Sequence, residues 1–204
     1  MNWTEIQEYI AGAAEQITLV EGFAVLMGLV YVILAARESI WCWSAAIVSV
    51  VAYIYICIDA RLYMETGLQF FYLVMAVYGW INWRQRNLQQ KKPVITWKLK
   101  WHAVSIVGGA ALTAIAGYLL NRYTYASLAY LDSFTTVYAL IATFMVTRKV
   151  LENWLYFIVI DAASIAMYAM KDLYLTALLF AAYVGIATYG YFAWRKEYRK
   201  AYVS

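Results

Sequence analysis

The stretch LYMETGLQFFYLVMAVYGWINWR, residues 62–84, has a second copy later in the chain: LYLTALLFAAYVGIATYGYFAWR, residues 173–195. The copies agree at Leu62/Leu173, Tyr63/Tyr174, Tyr72/Tyr183, Tyr78/Tyr189, Gly79/Gly190, Trp83/Trp194 and Arg84/Arg195, at a constant offset of 111. Extended outward, the same offset lays residues 18–84 on 129–195 without a gap. Seventeen of the 67 positions are identical, Phe23/Phe134, Arg37/Arg148 and Trp43/Trp154 among them. Shared hydrophobicity can align Leu with Leu. It does not align Arg, Tyr, Trp and Gly, so the chain is built as an internal repeat.

The 204 residues are 65% hydrophobic with one proline, and the mean hydropathy is +0.62. A soluble domain is nearer half apolar, so this reads as an integral membrane protein. Seven apolar stretches are long enough to cross the hydrocarbon: roughly 18–36, 40–58, 66–83, 102–120, 127–146, 152–170 and 174–194. The expected fold is all-α, with seven transmembrane helices arranged as two parallel three-helix repeats joined by a linker helix. Its parts are a polar or amphipathic segment (1–17), the first repeat (18–84), a basic loop and linker helix (85–128), the second repeat (129–195) and a basic tail (196–204). An axis along the membrane normal should relate the repeats.

Thirteen of sixteen basic residues then fall on one side, and Arg61, Arg122 and Lys171 on the other. The positive-inside rule puts the C-terminus in the cytoplasm and the N-terminus outside. No Lys or Arg precedes Arg37, while Glu5, Glu8, Glu15 and Glu21 make the start acidic, so no cleaved leader is expected. Topology accounts for the basic loop without nucleic acid. Trp41, Trp43, Trp80, Trp83, Trp97, Trp101, Trp154 and Trp194 gather near the basic side, as an aromatic belt would. Cys42 and Cys57 lie on one span and read as packing residues that do not pair.

One span breaks the apolar pattern. NWLYFIVIDAASIAMYAM, residues 153–170, carries Asp161 near its middle. A carboxylate at that depth is costly unless it faces a cavity or a partner. Trp154, Phe157, Ser164 and Tyr168 share its helical face, and Val159, Ile160, Ile165 and Ala166 are assigned to the other. Under the repeat, Asp161 falls on Val50, whereas Glu21 falls on Asp132. A lone charge on a symmetric scaffold suits an asymmetric ligand near the midplane. Gln69 and Tyr72, Ser49 and Tyr53, and Tyr183 add amide, hydroxyl and ring to the proposed path, with Asp132 at its outer end. Glu21, Trp43, Trp80, Trp83 and Asn153 are candidate gate or interfacial residues. No Lys or Arg lies within any span, so the pocket favours a flat organic cation or polar heterocycle held against rings and a carboxylate.

Other chemistry is excluded by what the chain lacks. There is no phosphate-binding G-x-x-x-x-G-K-[ST], no H-E-x-x-H and no G-x-S-x-G. With one histidine, His102, and no Cys/His cluster, neither a metal nor a cofactor is expected, nor any catalytic residue. The last span has no lysine for a retinal Schiff base.

LYMETGLQFFYLVMAVYGWINW, then LDSFTTVYALIATFMVTRKVLENWLYFIVIDAASI, resembles the nicotinamide riboside transporter family, the PnuC-type vitamin transporters, from about Glu21 to Trp194. The resemblance implies a 3+1+3 fold similar to that of SWEET sugar transporters, often trimeric, in the bacterial cytoplasmic (inner) membrane. It implies facilitated diffusion of a vitamin that a cytoplasmic kinase then traps by phosphorylation. Gln69 and Asp132 match the family's pattern. Asp161 stands where riboside-type members have Asn, Phe157 where they have Trp, and Ser49 near an Asn of the first half. The extra carboxylate leans the substrate toward thiamine, a thiazolium cation, with nicotinamide riboside next and riboflavin or a nucleoside behind. The alternatives are a proton-coupled carrier relaying through Glu21, Asp132 or Asp161, and a non-transporting sensor or scaffold.

Overall fold

The computed structural model describes residues 19–84 and 93–202. The expectation for residues 1–17 and much of that for the basic loop fall outside them. The described residues form seven helices: α1 Leu19–Ala36, α2 Cys42–Asp59, α3 Tyr63–Trp83, α4 Leu99–Tyr123, α5 Ala129–Thr147, α6 Asn153–Ala169 and α7 Tyr174–Tyr202. Five of them, α1, α2, α4, α5 and α7, are long and apolar enough to span a bilayer. The apolar α6 is 17 residues long, and α3, 21 residues long, carries Glu65, Gln69 and Asn82. In hydrocarbon a backbone must satisfy its own polar groups, which is why an all-helical membrane chain results.

Helix starts repeat at the offset of 111: Cys42 and Asn153 open α2 and α6, and Tyr63 and Tyr174 open α3 and α7. Helix ends repeat too. Glu38 and Lys149 both adopt left-handed φ, 53° and 56°, just after α1 and α5, and Arg61 and Asp172 do so after α2 and α6 at 57° and 59°. Each closes the same turn. The amide of Ser39 reaches back to the Leu34 carbonyl as that of Val150 does to Met145, both at 3.0 Å. This satisfies carbonyls that a helix end would otherwise leave bare.

Packing runs in a ring: α1 on α2, α2 on α3, α3 on α5, α5 on α6, α6 on α7, and α7 back on α1. The linker α4 stands outside, mainly against α5. It docks where glycine leaves room: a Cβ on Gly109 would lie 2.9 Å from Tyr138 Cζ, and the Tyr138 hydroxyl donates to the Ile106 carbonyl at 2.8 Å. Just before α4 a short strap pairs with the α5–α6 corner. The Ile95 amide donates to the Lys149 carbonyl at 2.9 Å, and the Leu151 amide to the Ile95 carbonyl at 2.8 Å.

At the basic end the core is a tryptophan cluster, which corrects the belt for four of its eight members. Trp43, Trp83, Trp154 and Trp194 are all 5% exposed or less, whereas Trp41 and Trp101 are more than half exposed. Trp43 meets Trp83 edge-on at 5.2 Å, and Trp154 meets Trp194 edge-on at 5.5 Å. The equivalents Trp83 and Trp194 touch at 5.8 Å. Their indole N–H groups cross between the repeats: Trp83 donates to the Val146 carbonyl at 3.1 Å and Trp194 to the Ala35 carbonyl at 3.0 Å. Val146 is itself the counterpart of Ala35.

One further expectation changes, and one holds. Residues 196–202 are not a loose tail: α7 continues to Tyr202, supported by a Lys200–Glu197 pair and by Tyr198 packing on Tyr202 at 4.8 Å. The cysteines are free and buried at opposite ends of α2, roughly 22 Å apart at 1.5 Å per residue.

Gly79 and Gly190 admit the rings of Trp43 and Trp154; a Cβ on Gly190 would sit 2.7 Å from Trp154 Cε2. Gly190→Ala should therefore destabilise the detergent-solubilised protein by about 1–3 kcal/mol, the usual cost of overpacking. Gly67→Ala, with nothing near its Cβ, should not. Thermal unfolding followed by tryptophan fluorescence checks both; equal melting temperatures for the two variants would refute the packing assignment.

Candidate functional site

Inside the ring lies a cavity of about 390 Å³ lined by residues of all six helices, within the range of roughly 300–1,000 Å³ typical of small-molecule sites. Its wall follows the repeat. Trp43 and Trp154, Tyr72 and Tyr183, and Ala76 and Ala187 line it as matched pairs. The repeat then fails where chemistry enters. Asp161 faces the cavity opposite Val50 in the alignment, and Ser49 opposite Ile160; all four line it.

The helical stripe around Asp161 is placed as its spacing predicts. Trp154, Phe157, Asp161, Ser164 and Tyr168 all line the cavity. Ile160, assigned by sequence to the opposite face, lines it too and is 4% exposed. It sits one residue from Asp161, and the inner surface of a helix enclosed by two neighbours is wider than one stripe. Val159 faces outward as expected.

Asp161 is buried, yet no hydrogen bond or ion pair reaches its carboxyl group from the described residues. No Lys or Arg lines the cavity. Ser49 is spoken for: its hydroxyl donates to the Ala24 carbonyl at 2.8 Å, tying α2 to α1. Rings supply much of the rest of the wall. Trp154 and Phe157 lie 6.5 Å apart, and Phe180 stacks on Tyr168 at 5.3 Å and meets Tyr183 edge-on at 5.8 Å. The indole N–H groups of Trp43 and Trp154 are buried without a hydrogen-bond partner among the described residues.

Of the ten residues proposed for substrate, eight line the cavity: Asp161, Phe157, Trp154, Tyr72, Ser49, Asp132, Ser164 and Tyr183. Gln69 and Tyr53 do not; their counterparts Phe180 and Ser164 take the matching places on the other half. Among the gate candidates Trp43 lines the cavity, Trp83 is behind it in the tryptophan cluster, and Trp80 packs against that cluster. Asn153 is buried, donating its side-chain amide to the Val150 carbonyl at 2.6 Å. Glu21 lies half-buried in the first turn of α1, outside the lining.

Sequence reasoning missed Tyr31 and Gly28 on α1, the hydroxyls of Thr135, Thr136 and Thr143 on α5, and Phe180 on α7. A signal existed for some of them. Phe180 is the repeat image of Gln69, and Gly28, Tyr31 and Ala35 recur at helical spacing. Among the described residues no cluster of His, Cys, Asp and Glu could hold a metal ion.

Residues 18–196 match the family model described as nicotinamide mononucleotide transporter. The nicotinamide riboside transporter PnuC of Escherichia coli (strain K12) is 24% identical over 94% of this chain and 91% of its own length, as is that of Shigella flexneri. The crystal structure of the vitamin B3 transporter PnuC superposes with a TM-score of 0.71 at 19% identity, covering 96% of this chain and 88% of that one. The fold is thus that of a solved transporter, and these relatives are transporters rather than enzymes. With the family model running through both repeats and the linker, the chain belongs to the nicotinamide mononucleotide transporter family of multi-pass membrane proteins.

Proposed function

We propose that the chain is a uniporter for a vitamin with a cationic aromatic ring, nicotinamide riboside before thiamine, taken up across the bacterial cytoplasmic membrane with the basic end inside. One observation carries this reading. Asp161 presents a buried carboxylate to a ring-lined cavity whose wall offers no balancing cation. A ligand that brings its own positive ring would supply that charge and stack against Trp154 and Phe157. Two features favour the riboside over the thiamine that the sequence leans toward. The wall carries several hydroxyls, those of Thr136, Thr143, Ser164 and Tyr183 among them, which suit a sugar better than a thiazolium. The relatives are themselves named for nicotinamide riboside. Trapping by a cytoplasmic kinase would pull the equilibrium inward without ion coupling.

Titration calorimetry of the purified protein with both vitamins tests the assignment. Nicotinamide riboside should bind, and Asp161→Asn should weaken it by about 1.5–3 kcal/mol, roughly ten- to hundredfold in Kd. Riboside affinity unchanged by the substitution would remove Asp161 from the site. Thiamine binding alone would make this a thiamine carrier. In liposomes, uptake should run downhill without a pH gradient; accumulation driven by such a gradient alone would instead mean proton coupling.

Gly28 offers a second check. A Cβ there would lie 3.5 Å from Ser49 Oγ and 3.8 Å from Tyr183 Oη, ordinary contact distances. Gly28→Ala should fold and transport. Gly28→Leu should fold but lose most uptake, because its side chain fills the cavity between those two hydroxyls. Full uptake by the Leu variant would place the path elsewhere.

A further inference from the structure

Below the cavity, toward the basic end, the molecule is closed by groups that meet their own repeat images. Trp43 and Trp154 line the cavity at this end, and behind them Trp83 and Trp194 are 5% and 0% exposed. Beyond these lies an ion pair. Lys149 Nζ donates to Glu38 Oε2 at 2.8 Å and rests 4.7 Å from the centre of the Trp83 ring. The two side chains are only 4% and 10% exposed. Lys149 is one of the thirteen basic residues that the sequence places on the cytoplasmic side; the structure makes it a buried cross-link between the α1–α2 and α5–α6 corners.

Three facts single this pair out. Glu38 and Lys149 are equivalent positions, 111 apart, so their contact puts them on the axis that relates the repeats. Their neighbours Arg37 and Arg148 are identical, whereas here the halves carry opposite charges; two copies of either charge at this separation would repel. Both also hold a left-handed backbone that would suit glycine, so their side chains are kept at a conformational cost. A substrate leaving along the axis would have to part this pair and the crossed Trp83–Val146 and Trp194–Ala35 bonds.

We propose that Glu38 and Lys149 are the latch of the basic-end gate, closing over the four tryptophans and opening for release on that side. The proposal rests on the transport reading above, but its test needs no vitamin. Ala46 lines the cavity one turn beyond Trp43. In a chain with Cys42→Ala and Cys57→Ala, Ala46→Cys becomes a reporter for a membrane-impermeant maleimide applied from the basic side of oriented vesicles. Glu38→Gln and Lys149→Gln should each speed labelling about tenfold by raising the open fraction. The exchange Glu38→Lys with Lys149→Glu should bring labelling back near the parent rate. Trp83→Phe, which keeps an aromatic ring there and removes the bond to Val146, should also speed labelling and serves if a charge variant does not fold. Unchanged labelling in the single variants, or in Trp83→Phe when those fail to fold, overturns the proposal, as does an exchange variant that labels like the singles. Labelling that responds as expected in a protein that moves neither vitamin would leave the latch standing and remove the substrate reading.

Discussion

Residues that are each other's repeat images can touch only on the axis that relates them, as two pairs of described residues do. Trp83 meets Trp194, and Glu38 meets Lys149. That constraint organises the rest of the bundle. It aligns α1 with α5 and α3 with α7, so that α7 closes on α1 as α3 closes on α5. It also leaves a central space bordered by three helices from each half, with one end sealed by indoles. The seal depends on small residues: Gly79 and Gly190 give Trp43 and Trp154 the space their rings occupy.

A symmetric cavity would present matching surfaces to a ligand that has none. Here the symmetric part of the wall is aromatic and small, and it provides shape. The exceptions provide direction. Asp161 against Val50, Ser49 against Ile160 and Phe180 against Gln69 place charge, hydroxyl and ring on particular sides of the axis. Membrane proteins seldom bury a carboxylate without a partner because hydrocarbon solvates it so poorly. Asp161, with no partner among the described residues, is the residue on which the proposed ligand reading rests.

Much of this was legible in the sequence, since the repeat and the spacing of residues 153–170 are one-dimensional signals. Seven helices, the linker, and the Asp161 stripe with Trp154, Phe157, Ser164 and Tyr168 follow from offset and period alone. What could not be read were facts about neighbours. Nothing local distinguishes the buried Trp83 from the exposed Trp41, because both lie at a helix end within four residues of an arginine. The burial of Lys149 is decided by Glu38, more than a hundred residues away. Gln69 looked like a site residue from its own helix, but the lining is set by how α3 is turned in the ring. The helical run past Trp194 was obscured by its charge, although nothing in residues 195–202 breaks a helix.

The left-handed corners bear on how far this protein can be made more robust. A side chain in that region costs of order 1–3 kcal/mol relative to a relaxed backbone, and among the described residues five non-glycines hold it. At Arg61 and Leu128, both exposed, glycine would relieve strain without touching the cavity or the tryptophan cluster. At Glu38 and Lys149 the same relief would erase the pair of opposite charges on the axis. On the latch reading, stability and turnover are set against each other at one end of the molecule and separable at the other, so a hardened variant is best sought at the outer corners.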